Sequence, residues 1–267
     1  MLGFESIALY ILLGCFVGVA AGLLGIGGGG IIVPSLTTIF LMQGVDSQNV
    51  VHMALATSMA TIVITSLSSL KAHNKKGGVI WSVVKMMTPG IIIGTFFATF
   101  LASILSSLYL AIFFSIFMAY VSIQMFLNKK PKPSRKLVNS KIQFAAGTLI
   151  GAISAIVSIG GGSLTVPYLI WQNVDIKKAI GTSAAVGFPI AVSGTLGYII
   201  NGWENTDLSN YMFGYVSLPA FFFIAVCSYF TAPIGVKLAH SLPVKVIKKI
   251  FSLLLILLSL KMLFSFI

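Results

Sequence analysis

The sequence predicts an all-α, polytopic membrane protein made of two inverted repeats, with about eight full spans and two short helices. Broken or re-entrant helices are expected to surround a site at the bilayer midplane. Three observations carry this prediction. Hydrophobic residues make up 57% of the 267 residues and charged residues 8%, with a mean hydropathy of +1.03, so polar surface is too scarce to cover a water-soluble domain. The run Gly25-Ile26-Gly27-Gly28-Gly29-Gly30, followed by Val33-Pro34, returns as Ile159-Gly160-Gly161-Gly162-Ser163, followed by Val166-Pro167. Basic residues, finally, gather in short connections between apolar stretches.

In chain order, the apolar stretches cover 5–24, 30–42, 50–70, 79–103, 107–127, 142–158, 163–172, 179–201, 211–236 and 244–266. Most approach the ~20 residues that a spanning helix needs, whereas those starting at Gly30 and Ser163 are short. The first basic residue is Lys71, so the leading stretch lacks the positive n-region of a cleavable signal and is expected to be retained. Cys15 and Cys227 fall inside apolar stretches without metal-like spacing and read as small packing residues. Trp81, Trp171 and Trp203 fall near span ends, as interfacial anchors do.

The formal net charge of +12 suggests nucleic acid in a soluble protein, but here it encodes topology. Lys71, Lys75 and Lys76 form one basic connection, Lys129, Lys130, Lys132, Arg135, Lys136 and Lys141 a second, and Lys237, Lys245, Lys248 and Lys249 a third. Placing these in the cytoplasm and alternating the spans puts Lys85, Lys177 and Lys178 there too, leaving only Lys261 outside. Both termini then come out external, in a multi-pass protein of the plasma membrane. Residues 129–141, with Pro131 and Pro133 among the charges, read as a cytoplasmic linker between a first repeat, 1–128, and a second, 142–267.

One offset pairs Gly14 with Gly147, Gly18 with Gly151, Ile26 with Ile159 and Pro34 with Pro167. Further on the offset shortens, pairing Val45-Asp46 with Val174-Asp175 and Thr57-Ser58 with Thr182-Ser183, while Pro89 meets Pro219 and Leu105 meets Leu242. The first half starts outside and ends at the linker, and the second does the reverse, so the repeats are inverted. Inverted repeats with discontinuous helices are a recurrent transporter architecture, with substrate bound where the halves meet.

In hydrocarbon, irregular backbone is tolerated only beside protein or a water-filled cavity. Glycine permits the reversal, and proline in the first turn of the following helix loses no needed donor; Pro34 and Pro167 are expected near that place as helix-break residues. The short helices would aim their positive N-terminal ends at the cavity, which suits an anion. Expected substrate-binding residues are therefore Gly27, Gly28, Gly29, Gly30, Gly160, Gly161, Gly162 and Ser163, with Ser35, Thr57, Ser58, Thr182 and Ser183 as hydroxyl donors. The hydroxyls have a competing use, bonding to their own backbone or to a neighbouring helix. Gln43 and Gln172 are weaker ligands of the same kind. Gly14, Gly18 and Gly22, spaced by four, read instead as a helix-packing face. His52 lacks a visible carboxylate partner for proton relay, and His73 and His240 lie near cytoplasmic ends.

Two halves, each with a glycine-rich run leading to a proline and a later Thr-Ser step, resemble the TauE/SafE family of membrane proteins. The resemblance spans essentially the whole chain, and the duplicated Ile-Gly-Gly-Gly element with its Val-Pro is its most specific part. It implies export of sulfite or a small organosulfonate. The family's glycine elements fall on Gly27, Gly28, Gly29 and Gly30 with Pro34, and on Gly160, Gly161 and Gly162 with Pro167. Ser163 takes the place of the fourth glycine, which makes the two halves unequal.

These observations predict a secondary transporter exporting a small anion by alternating access, with an anion channel or passive pore as the alternative. No GxxxxGK[ST] pattern occurs, so the chain is not expected to use ATP directly. No catalytic dyad appears within the spans, so no enzyme, cofactor or metal site is expected. The expected partners are the anion and the lipid bilayer, not nucleic acid, and the oligomeric state is left open.

Overall fold

The protein is described from a computed structural model over residues 4–24, 27–127, 139–208, 211–241 and 244–265. Gly25, Ile26, Leu242 and linker residues 129–138 lie outside the described residues. Among the described residues ten α-helices follow one another: α1 (Phe4–Leu24), α2 (Gly29–Met42), α3 (Val50–Lys75), α4 (Trp81–Ile104), α5 (Ser107–Leu127), α6 (Ser140–Ile156), α7 (Gly162–Trp171), α8 (Ile176–Asn201), α9 (Leu218–Ser241) and α10 (Val244–Phe264). Among the described residues six helices, α1, α3, α4, α5, α8 and α9, are long and apolar enough to cross a bilayer. At 17 residues α6 falls just short of that length. The all-α, multi-pass architecture therefore stands, with six helices of spanning length among the described residues beside the expectation of about eight.

Local chemistry places the helix starts. The Asn139 side chain accepts from the Ile142 N–H at 3.2 Å at the start of α6, and Asp175 accepts from the Lys177 N–H at 2.9 Å at the start of α8, each satisfying a first-turn donor. The short helices start differently: Gly28 (φ 81°) precedes α2 and Gly161 (φ 76°) precedes α7, both left-handed. Pro34 and Pro167 lie inside α2 and α7, each the sixth residue and thus one turn deeper than expected. There a proline has no N–H to give the carbonyl four residues earlier, that of Gly30 or Ser163.

Helices pack across the halves in matched sets. α1 runs parallel to α9, with Gly14 against Ile224 and Cys227 and Gly18 against Ser228; α6 runs parallel to α4, with Gly147 against Met87 and Gly151 against Ile91. Small residues four apart let each pair approach closely, as expected for Gly14 and Gly18. Counterpart helices meet antiparallel. Met59 of α3 packs on Gly194 of α8, while Gly78, just past the end of α3, lies against Gly181 near the start of α8. In α5 and α10, Ser115 donates to the Ser259 carbonyl and Ser122 to that of Ser252. This pairing is the arrangement of an inverted repeat. Each sequence half thus lends its fourth helix to the other: α9 packs with α1 and α3, and α4 with α6 and α8.

Two details differ from the sequence-based alignment. Residues 211–217, expected to open a span, form a hairpin of β1 (Met212–Phe213) and β2 (Val216–Ser217), turned by Gly214 at φ 57°. This insertion shifts the register of the fourth helices. The structure matches Ile80, ahead of α4, with Ser217, ahead of α9, since each gives its N–H to a counterpart threonine. Pro89 and Pro219 are consequently not equivalent, Pro89 lying well inside α4 and Pro219 at the second position of α9.

Candidate functional site

The glycine breaks turn each short helix back along the helix before it. Gln43, at the end of α2, donates to Ser6 Oγ at 2.9 Å and accepts from the Tyr10 hydroxyl at 3.2 Å near the start of α1. In the second half, Gln143 near the start of α6 donates to Gln172 Oε1 at 2.9 Å at the end of α7, and Tyr168 donates to Gln143 Oε1 at 3.2 Å. Gln43 and Gln172 therefore close the open ends of two helical hairpins. At 14 and 10 residues, α2 and α7 rise only about 21 and 15 Å, so each hairpin tip lies deep in the fold.

The two tips touch. A methyl group on Gly27 would lie 3.0 Å from Gly160 Cα, and one on Gly160 would lie 3.3 Å from Gly27 Cα, with Ile62 of α3 against both. Gly27 and Gly160 occupy matching places in the repeat. Positive φ angles at Gly27 (75°), Gly28 (81°) and Gly161 (76°) put the tips in backbone conformations that side chains resist. Gly29 packs so closely on the Ser158 carbonyl that a methyl group there would overlap its oxygen, and Gly187 of α8 leaves the same kind of room for the Gly160 carbonyl. Ser158 (φ 47°) donates to the Leu55 carbonyl of α3 at 3.1 Å.

Beyond the tips, the Gly28 carbonyl accepts from Ile31 and Ile32, and the Gly161 carbonyl from Leu164 and Thr165. The N–H groups of Gly29, Gly30, Gly162 and Ser163 have no partner within their own helices, as in any first turn. Gly28, Gly30 and Ser163 line one small cavity together with Ile159, so both short helices open on the same space. Its far wall is apolar, with Met118 and Phe251. A second cavity of about 20 Å³ adjoins the Gly27 and Gly160 contact and is lined by Thr65, Ser66 and Ser69.

The hydroxyls expected at the site are distributed unevenly. Thr57 accepts the Ser217 N–H at 3.0 Å and Thr182 accepts the Ile80 N–H at 3.0 Å, so both hold the approach to a fourth helix. Ser183 donates to the Ile180 carbonyl, whereas the buried Ser58 hydroxyl has no hydrogen-bond partner. Ser35 is half-buried in α2. His52, 3% exposed, contacts the Ala102 carbonyl at 3.0 Å and stacks on Tyr215, with no carboxylate partner among its contacts.

Sequence reasoning missed Thr65, Ser66 and Ser69. A signal was present: Thr57, Thr61, Thr65 and Ser69 recur every fourth residue, which puts hydroxyls along one side of an otherwise apolar helix. Charge stays at the surface. Every charged side chain whose burial is described is exposed, and no group of three His, Cys, Asp or Glu able to hold a metal occurs among the described residues. Lys71 and Lys75 share one end of the fold with Lys177 and Lys178, because the segment after α3 is bonded to the first turns of α8 through Ile80 and Thr182.

Comparison with known proteins identifies the family. The family model for the sulfite exporter TauE/SafE matches residues 10–262. The chain belongs to the TauE/SafE family. It is 36% identical to a probable membrane transporter protein of Haemophilus influenzae over 97% of this chain and 98% of that protein. A probable membrane transporter protein of Methanocaldococcus jannaschii is 29% identical over 89% and 88% of the two chains. The Bacillus subtilis protein YdhB, also a probable membrane transporter protein, is 26% identical over 90% and 93%. No solved structure matches. As a TauE/SafE member the chain is a membrane transporter and not an enzyme.

Proposed function

We propose that this TauE/SafE protein is a secondary transporter that exports a small anion, sulfite or a small organosulfonate, across the plasma membrane by alternating access. The observation that carries this reading is the meeting of Gly27 and Gly160, matched glycines on two helical hairpins that enter from opposite ends of the fold. Each tip starts a short helix whose first-turn N–H groups and positive dipole end favour an anion. Neutral donors suit transport, since an anion held by a buried lysine would be slow to leave. The lysine-bearing end, with Lys71, Lys75, Lys177 and Lys178, is assigned to the cytoplasm and both termini to the outside. With a negative interior, an anion is driven outward by about 2.3 kcal/mol per charge per 100 mV, so export can proceed without a second ion.

The exchanged fourth helices refine the moving parts. Two repeats, 1–128 and 142–267 with 129–141 as linker, form the inverted pair, but they are not the rocking bodies. One body is α1, α2 and α3 with α9, and the other is α6, α7 and α8 with α4; the α3 and α8 contact lies between them. Flux of sulfite, thiosulfate, sulfoacetate and taurine into proteoliposomes tests the reading, comparing the parent with Gly28→Val and Gly161→Val. Saturable anion flux lost in both variants, with folding retained, is expected. Unchanged flux in both refutes the tip site, and flux rising linearly with concentration identifies a pore.

A further inference from the structure

Resting on that transport reading, we propose that the anion's station on the lysine-bearing side of the tips is the cavity lined by Thr65, Ser66 and Ser69. These hydroxyls would receive a small oxyanion that carries no cationic group. The station is displaced from the symmetric meeting point of the tips, and its hydroxyls all come from α3.

Three observations carry it. The cavity lies between the Gly27 and Gly160 contact and the end of α3 that bears Lys71 and Lys75, with Ser69 nearest that end. Its hydroxyls are available as donors. The buried Ser69 Oγ has no hydrogen-bond partner, Thr65 makes only long contacts of 3.3 Å to the Thr61 and Ile62 carbonyls, and Ser66 bonds to the Val63 carbonyl at 3.1 Å. A hydroxyl hydrogen rotates freely, so all three can turn from backbone to anion, where charge assistance strengthens the bond.

The counterpart region on the other side of the tips is closed. At the matching positions of α8 stand Ile190, Ala191 and Gly194. Ile190 covers Gly161 at 2.7 Å from where a methyl group would lie, and the Met59 thioether fills the space over Gly194 at 3.1 Å. Ala184, the counterpart of Met59, leaves the hydroxyl cavity open. Space is therefore left beside the α3 hydroxyls and filled at the matching place on α8, by side chains that differ between the repeats.

Size and charge set the ligand class. A cavity of about 20 Å³ holds roughly one water, so an entering oxyanion must part the tips, which links binding to movement. No carboxylate lines the cavity. An ammonium group on the substrate would lose its hydration without gaining a counter-charge, which disfavours zwitterions such as taurine.

Reconstituted full-length protein tests the station through sulfite flux in the parent, Ser69→Ala, the triple variant Thr65→Val/Ser66→Ala/Ser69→Ala, and Ser68→Ala as an α3 control outside the cavity. Losing a hydrogen bond to a charged ligand predicts a KM about tenfold higher in Ser69→Ala. Maximal rate should be nearly preserved, Ser69→Thr should restore KM, and Ser68→Ala should match the parent. Taurine in excess should leave sulfite flux unchanged. Parental KM in both Ser69→Ala and the triple variant overturns the station while leaving the transport reading intact. Competition by taurine at sulfite-like affinity overturns the ligand class. A parent that carries no anion removes both readings together.

Discussion

Gly187→Ala tests whether contact between the tips is essential to transport. Gly187 lies within α8, where alanine is a favourable helix residue, so helix propensity alone predicts a small gain in stability. The surroundings predict the opposite. A methyl group at Gly187 would lie 2.5 Å from the Gly160 carbonyl oxygen and 3.4 Å from its carbon. Ordinary contact requires roughly 3.5 Å, so the second tip must move by about 1 Å. On its other side Gly160 meets Gly27 Cα and the Ile62 methyl, each 3.3 Å from where its own methyl group would be. The displacement thus passes to the first tip, at an overpacking cost of about 1–3 kcal/mol. Gly44→Ala supplies the comparison, since Gly44 has φ 80° but open space around it, leaving only the left-handed penalty of roughly 1–2 kcal/mol. Both variants should melt below the parent when followed by tryptophan fluorescence in detergent. Only Gly187→Ala should lose most anion flux in proteoliposomes. Parental flux in Gly187→Ala, or equal losses in the two variants, refutes the argument that transport depends on the position of the tips.

Cys15 of α1 and Cys227 of α9, which packs beside Gly14, are neighbours across the two repeats, so mild oxidation should join them; because both belong to one proposed body, thiosulfate flux should persist, and a block reversed by reductant would show that the sequence halves move as units. Thiosulfate is the better probe here because sulfite cleaves disulfides. Thr57→Val and Thr182→Val leave the buried N–H of Ser217 and the part-buried N–H of Ile80, respectively, without an acceptor, and should each cost about 1–3 kcal/mol in denaturant unfolding, the latter at the low end; a variant as stable as the parent would show that its threonine does not hold the fourth helix. Met59→Ala empties the space over Gly194, should lower stability by about 2–5 kcal/mol, and should convert saturable flux to flux that rises linearly with concentration; retained saturation at parental KM would show that Met59 is not the seal.

Much of the architecture was legible in the chain because it depends on local or additive properties. Hydropathy sums along a segment, so the long apolar helices and the two short ones were readable from composition and length. The glycine runs were readable as breaks because positive φ and close backbone approach are intrinsic to glycine. Even the packing of Gly14 and Gly18 followed from their spacing. The roles of Thr57 and Thr182 were not readable in this way, since their partners, Ser217 and Ile80, lie far off in sequence. A hydroxyl looks the same in sequence whether it faces substrate or a distant N–H.

By itself, the sequence determined that this is a duplicated, helical membrane transporter broken at matched glycines, because bilayer solvation and backbone freedom act residue by residue. Only the tertiary structure decided that each repeat lends its fourth helix to the other, that Gly27 meets Gly160, and that open space lies beside Thr65, Ser66 and Ser69 while Met59 fills its counterpart. Those outcomes depend on which surfaces come within van der Waals range, and in a bilayer, where lipid is as apolar as the helices, close packing and hydrogen bonds choose the neighbours.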